Sequence, residues 1–421
     1  MDKFSIEGPC RIKGRVKISG SKNSSLPILA STLLFDQPVT IRNLPKVKDI
    51  DTMLSLLKSL GSKIILSKDK RIAKIHNKNK IKTFASYSLV KTMRGSILVL
   101  GPLVAKYFQS KISLPGGCLI GARPINYHLD ALKKLGMDYI LKDGYILAKS
   151  KGKLKGATIK FPKISVGATE NSIIAACLAK GITILKNCAV EPEIKDLTNF
   201  LNLAGANITW KGRTCKIVGV TTLNKTEYSV MSDRIEAGTF CVAATITGGN
   251  LDILNFDANI IKTELNLLKK FGAKIRIYKK KLSIKGPKNI KPVTNIKTGE
   301  YPGVATDMQS QLMVLMCKAN GKSYITENIF ENRFMHVAEL RRLGAKIITK
   351  KNKAFVEGNT KFIGAELMSS DLRASVSLVL AAMVSKGKSI IHRIYHLDRG
   401  YENIENKLKK IGVRIKRLNY E

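Results

Sequence analysis

The chain is short of acid, has one tryptophan and contains no long apolar run, and each shortage removes a class of explanation. None of its 421 residues falls in a stretch of 18 consecutive apolar residues, the least a membrane-crossing helix needs. The amino terminus, MDKFSIEGPC, lacks the basic start and apolar stretch of a secretory leader, so the expectation is a cytoplasmic protein without membrane insertion. Seven cysteines (Cys10, Cys118, Cys177, Cys188, Cys215, Cys241 and Cys317) are odd in number and none forms a Cys-x-x-Cys pair. That argues against a disulfide framework or a zinc site and fits a reducing compartment. Acid is outnumbered by base, 31 to 73, which leaves a formal charge of +42. Such a charge raises a nucleic-acid-binding reading. The lysines are spread along the whole chain, however, without a zinc finger, an RNA-recognition signature or aromatic residues interleaved for base stacking. Solvated surface lysine accounts for them, and no nucleic-acid partner is expected.

What the chain does contain is a repeat. LKSLGSKI, LKKLGMDY, LNLAGANI, LKKFGAKI, LRRLGAKI and LKKIGVRI are six copies of one turn, with glycines at 61, 136, 205, 272, 344 and 412. The intervals of 67 to 75 residues indicate one supersecondary unit used six times. Each copy opens with a helix-like stretch too apolar for a solvated face, such as RGSILVLGPLVA, EAGTFCVAATITGG or LRASVSLVLAAMVSKG. A β-branched strand, a loop and an amphipathic helix follow, and the glycine is the expected left-handed cap of that second helix. Alternating strand and helix predicts an α/β fold. The end copies carry as much unusual polar sequence as the middle ones, which favours closed units over a solenoid with polar caps. Three units each would give two domains of about 200 residues.

Arginine recurs at the joints of the unit although only 17 of the 73 basic residues are arginine. Arg94 and Arg373 fall where a first helix begins, as do Lys22, Asp307 and Asp371. Arg123, Arg333 and Arg399 fall in the loop before the second helix. Guanidinium grips carboxylate or phosphate with two donors, and helix starts add free N–H groups. The pattern predicts a pocket for a multiply anionic small molecule. Cys118 belongs with it, in SLPGGCLIGARP, where glycines permit a tight turn and Arg123 would favour a thiolate. Two readings of Cys118 stand, a reactive thiol and a structural one.

Together, SGSKNSSLPIL, LVKTMRGSI, SLPGGCLIGARP, SVGATENSI, EPEIKDL, DRIEAGTF, ATDMQSQ, FENRFMHV, SSDLRAS and HLDRGYENIE resemble the UDP-N-acetylglucosamine 1-carboxyvinyltransferases, in order and over nearly the whole chain. The resemblance implies a two-domain inside-out α/β barrel of six repeats, three per domain. One domain would span residues 22–231, and the other residues 1–21 with 232–421. It also implies transfer of the enolpyruvyl group of phosphoenolpyruvate to the 3-hydroxyl of UDP-N-acetylglucosamine, by addition and elimination through a tetrahedral ketal. No cofactor and no metal take part in the implied reaction. The matching motifs make Cys118 the acid and Asp307 the base, put Lys22, Arg123 and Arg399 around the phosphoenolpyruvate anions, and give Asp371 and Arg373 to closure and proton transfer. Asn23, Arg94, Arg123, Pro124, Ile125, Asn126, Tyr127, Lys163, Ile164, Ser165, Val166, Asp307, Ile329, Arg333 and Arg373 are then expected at the nucleotide-sugar site. Ser24 and Ser25 stand where the family commonly has alanines, and Asn126-Tyr127 where Asp-Leu is frequent; no charged group is lost. The related shikimate-pathway enolpyruvyl transferases lack the PGGC loop, which sets them apart from this chain.

Overall fold

The computed structural model describes residues 2–77, 81–114, 116 and 125–419. These residues form six four-stranded sheets of one design. In each, a short edge strand runs parallel to a second strand, and two more continue the sheet antiparallel. Thr158–Lys160, Ile182–Lys186, Thr214–Val218 and Asn207–Lys211 are one such set, in that order across the sheet. Side chains alternate between faces along a strand. In Lys353–Glu357, Ala354 and Val356 are buried while Lys353, Phe355 and Glu357 face out. The strand lysines take such outward positions, Lys346 and Lys350 among them, and this is where much of the basic charge resides.

The chain divides into two compact units, one running from Gly20 to Met231, the other made of the segment through Ser19 and everything from Ser232. Each has its own hydrophobic core. In the Gly20–Met231 unit, the last strand, Thr226–Ser229, returns to pair in parallel with the first repeat's Val39–Arg42. In the other, the amino-terminal strand Lys3–Gly8 lies between Gly387–His392 and Arg414–Leu418, and Lys13–Lys17 pairs with Asn250–Leu254. These three sheets are completed by chain from the far end of their unit, so neither unit has the unfinished ends of a solenoid. Gly20 and Ser21 group with the residues that follow them. Ser21 N donates to Met231 O (2.7 Å), and the Ser21 hydroxyl accepts from Ser24 N (3.3 Å).

Inside each unit three helices pack on one another: Lys22–Ser31, Leu100–Tyr107 and Val166–Ala176 in one, Arg234–Ile246, Gln309–Lys318 and Leu372–Val384 in the other. All thirteen residues of Arg234–Ile246 are buried. Small and hydroxylated residues allow that close approach, because the hydroxyls bond back to their own helix. Ser25 donates to Ser21 O at 2.7 Å, Thr239 to Ile235 O at 2.8 Å and Thr245 to Cys241 O at 2.9 Å. RGSILVLGPLVA is not one α-helix. Arg94–Val99 is a 3-10 turn and the α-helix starts at Leu100, since Pro102 has no N–H for the Leu98 carbonyl and its ring would crowd it. The six repeat glycines all have positive φ, from 96° to 107°, as a left-handed helix cap requires. Among the described residues no helix is long and apolar enough to cross a membrane.

Candidate active site

Asp307 lies in the Thr306–Met308 turn that leads into the Gln309–Lys318 helix. Its Oδ1 accepts from Arg333 Nη2 at 2.7 Å and its Oδ2 from Arg373 Nη2 at 2.8 Å. Both arginines are buried, whereas the Asp307 side chain is 27% exposed. Each guanidinium also lies over an aromatic ring, Arg333 over Phe330 at 5.7 Å and Arg373 over Tyr401 at 5.4 Å from the centroid. Burial disfavours the Arg373 charge, yet Asp307, Tyr401 and Asp233 outweigh it and raise its pKa above the ordinary arginine value.

The elements around this pair explain its geometry. Asp371 caps the Leu372–Val384 helix, accepting from Arg373 N at 2.9 Å and Ala374 N at 3.1 Å, which sets the first turn from which Arg373 projects. Ser310 Oγ donates to Arg373 O at 2.8 Å. Glu327 accepts from Ile329 N (2.8 Å) and from the Thr306 hydroxyl (3.0 Å), tying the Ile329 loop to the residue before Asp307. Arg399 ends the short Tyr395–Asp398 helix. His336 is buried near Arg333 and Asp371, and its pKa is pushed down to about 4, by burial first. The cluster concentrates positive charge around one carboxylate. Each oxygen of Asp307 accepts from one guanidinium, which fixes the carboxylate while leaving it acceptor sites for a further hydrogen bond.

In the Gly20–Met231 unit, Lys22 opens the Lys22–Ser31 helix and Asn23 follows it. Lys22 Nζ stands 3.2 Å from Asp49 Oδ2, with side chains only 13% and 5% exposed. Arg94 begins the 3-10 turn that precedes Leu100. Ile125, Asn126 and Tyr127 form the entry to the Asn126–Lys134 helix. Lys163 and Ile164 lead to Ser165, which caps the helix beginning at Val166 by accepting from Ala168 N at 3.3 Å. His128 joins these two entries. Its Nδ1 accepts from Asn171 Nδ2 at 3.2 Å, and its pKa is lowered to about 4, by burial first and then by Arg94. A Cβ on Gly167 would lie 3.0 Å from the His128 ring, so glycine there lets the ring approach the first turn of the Val166–Ala176 helix. Tyr127 also walls a cleft of about 420 Å3 with Ala131, Ile159, Phe161 and Pro162, edged by Lys160.

Cys118, Arg123 and Pro124 lie outside the described residues. The rest fall into two groups. Asp307, Arg333, Arg373, Asp371, Ile329 and Arg399 belong to one unit, and Lys22, Asn23, Arg94, Ile125, Asn126, Tyr127 and Lys163 to Val166 to the other. Sequence reasoning missed Asp49, His128, Asn171, Glu327 and Tyr401. Asp49 did leave a signal: it keeps helical register with the buried Met53 and Leu56 on an apolar stripe, where an unpaired carboxylate is costly.

The family model of EPSP synthase (3-phosphoshikimate 1-carboxyvinyltransferase) matches residues 6–408. A UDP-N-acetylglucosamine 1-carboxyvinyltransferase of Pelagibacter ubique is 60% identical over 420 residues, covering all of both chains. The enzyme of that name from Endomicrobium trichonymphae is 48% identical over 99% of both. Among solved structures, the enolpyruvyl transferase NikO from Streptomyces tendae superposes with a TM-score of 0.90 at 23% identity, over 100% of this chain and 99% of its own. At that identity the likeness bears on the fold alone.

Proposed function

The chain belongs to the EPSP synthase family, and we propose that it transfers the enolpyruvyl group of phosphoenolpyruvate to the 3-hydroxyl of UDP-N-acetylglucosamine with release of phosphate. This is the first committed step of peptidoglycan synthesis, and we place it in the cytoplasm, in keeping with the six free cysteines among the described residues. The observation that carries the reading is the match at 60% identity, end to end, to a UDP-N-acetylglucosamine 1-carboxyvinyltransferase.

The reaction joins the sugar oxygen to C2 of the enol, places a proton on C3, and then expels phosphate from the ketal as a proton leaves the new methyl group. It needs an acid, a base and fixed cations around a carboxylate and a phosphate. In our assignment Cys118 supplies the proton to C3 and Asp307 receives the sugar hydroxyl proton. Lys22, Arg123 and Arg399 hold the phosphoenolpyruvate anions. Asp371 and Arg373 position Asp307, and Arg333 shares that task. Asn23, Arg94, Arg123 to Tyr127, Lys163 to Val166 and Ile329 serve the nucleotide sugar. The Lys22–Asp49 contact supports this use of Lys22, since a buried carboxylate 3.2 Å from Nζ holds the side chain in one position.

The test is phosphate release from phosphoenolpyruvate in the presence of UDP-N-acetylglucosamine or of 3-phosphoshikimate. Release only with the nucleotide sugar is expected. Release with 3-phosphoshikimate, or with neither acceptor, would refute the assignment.

A further inference from the structure

Arg399 leaves a helix of only four residues, Tyr395–Asp398, too short to hold its own shape. Its firm support comes from Arg417, on the Arg414–Leu418 strand. Arg417 Nη2 donates to Asp398 Oδ1 at 2.6 Å and Nη1 to Asp398 Oδ2 at 3.1 Å, a two-pronged grip on the residue just before Arg399. Its Nε donates to Glu405 Oε1 at 3.0 Å, in the first turn of the Ile404–Lys410 helix on the far side of the loop. Nη1 also reaches Asp2 Oδ2 at 3.1 Å. The guanidinium stacks 5.1 Å from the centroid of the fully buried Phe4, on the neighbouring strand. One side chain therefore ties both shoulders of the 399–403 loop to the sheet beneath.

We infer that Arg417 is a positioning residue for Arg399 and so for phosphoenolpyruvate binding, an inference that rests on the reading of Arg399 as an anion ligand. The hydrogen bonds to Asp398 and Glu405 raise the Arg417 pKa above its ordinary value, so the charge is permanent. Without the guanidinium, the carboxylates of Asp2, Asp398 and Glu405 lose the cation that they share. The Asp398 shoulder then moves and carries Arg399 with it. The middle of the loop has an anchor of its own: Tyr401 is buried and its hydroxyl lies 2.9 Å from the Thr239 hydroxyl. The loss should therefore fall on the ligand of Arg399 and spare the nucleotide sugar.

Steady-state kinetics of the full-length protein test this with Arg417→Lys, which keeps the charge but cannot form the fork, and with Asp398→Asn, which removes its main partner. Each is expected to raise KM for phosphoenolpyruvate by roughly tenfold, the worth of one charge-assisted contact, with KM for UDP-N-acetylglucosamine within about twofold of wild type. The double variant should be no worse than the poorer single one, because both changes cut the same link. Arg399→Lys is the reference. If it costs phosphoenolpyruvate affinity while Arg417→Lys and Asp398→Asn leave both KM values unchanged or raise them equally, the positioning role is overturned. If Arg399→Lys itself leaves phosphoenolpyruvate kinetics intact, the reading of Arg399 fails and the role of Arg417 with it.

Discussion

Asp307→Asn separates the two jobs of the central carboxylate. The amide keeps one acceptor for one guanidinium and turns an NH2 group toward the other, so a buried arginine loses its counter-ion. A hydrogen bond to a charged group is worth about 1.5–3 kcal/mol, and stranding a buried charge costs about 3–5 kcal/mol. Arg333 and Arg373 are buried, but the Asp307 side chain is 27% exposed, and solvent screens part of the interaction. About 2–4 kcal/mol is the resulting expectation. In a unit of roughly 200 residues, where each kcal/mol moves the midpoint by about 2–4 °C, thermal unfolding should come roughly 4–16 °C early. Turnover should fall further than that loss of stability explains, by about 10²–10⁴, because the amide accepts no proton. Scanning calorimetry and phosphate release on the same preparation read both quantities. A midpoint within about 1 °C of wild type would refute the energetic argument, and turnover within about threefold would refute the assignment of the base.

Two predictions concern acid and base. His128 has its folded pKa lowered from 6.5 to about 4, so its contribution to stability is present above pH 6.5 and is lost as pH falls toward 4, about 3 kcal/mol in all. His128→Gln should flatten the unfolding midpoint across that window, and an unchanged slope would contradict burial of a neutral ring. Glu170 is shifted the other way, well above the ordinary carboxyl value, by burial first and then by Glu193 and Glu191. Its contribution is present below pH 4.5 and is lost as pH rises through the folded pKa. Glu170→Gln, which removes the cost of a buried ionised carboxyl, should raise the unfolding midpoint at neutral pH, and a lower midpoint there would contradict the upward shift.

The repeat was legible because its cause is local. Only glycine adopts the left-handed cap freely, and an apolar helix followed by an outward-facing basic strand leaves its trace in adjacent residues. The helix starts at Lys22, Asp371 and Arg373 were legible for the same reason, since caps and first turns are short-range. The partners were not. Lys22 and Asp49 are 27 residues apart, Arg333 and Asp307 26, and Arg373 and Asp307 66. Nothing local in those segments says which carboxylate meets which cation. Asn171 was illegible for a further reason. Its Oδ1 accepts from Gly101 N at 2.9 Å, and a Cβ at 101 would lie 2.3 Å from that oxygen. The glycine had a visible role only once the inner helices were packed.

The distribution of the two basic side chains follows from the same structure. On an exposed strand position such as Lys346 or Lys353, a cation needs only water and a methylene stem, and either residue serves. At Arg333, Arg373 and Arg417 the requirements differ. Each guanidinium bonds carboxylate with its planar donors and lies 5.1–5.7 Å from the centroid of Phe330, Tyr401 or Phe4. An ammonium can supply the charge there but not the fork or the flat face, and it is more strongly hydrated, so burial costs it more. A chain with 73 basic residues, only 17 of them arginine, can therefore vary its surface cations freely while these three positions remain arginine. Two of the three hold Asp307, and the third holds the shoulder of Arg399. The residues that set the geometry of the proposed chemistry are thus distinguished by the shape of their charge, in a protein whose total charge carries no such information.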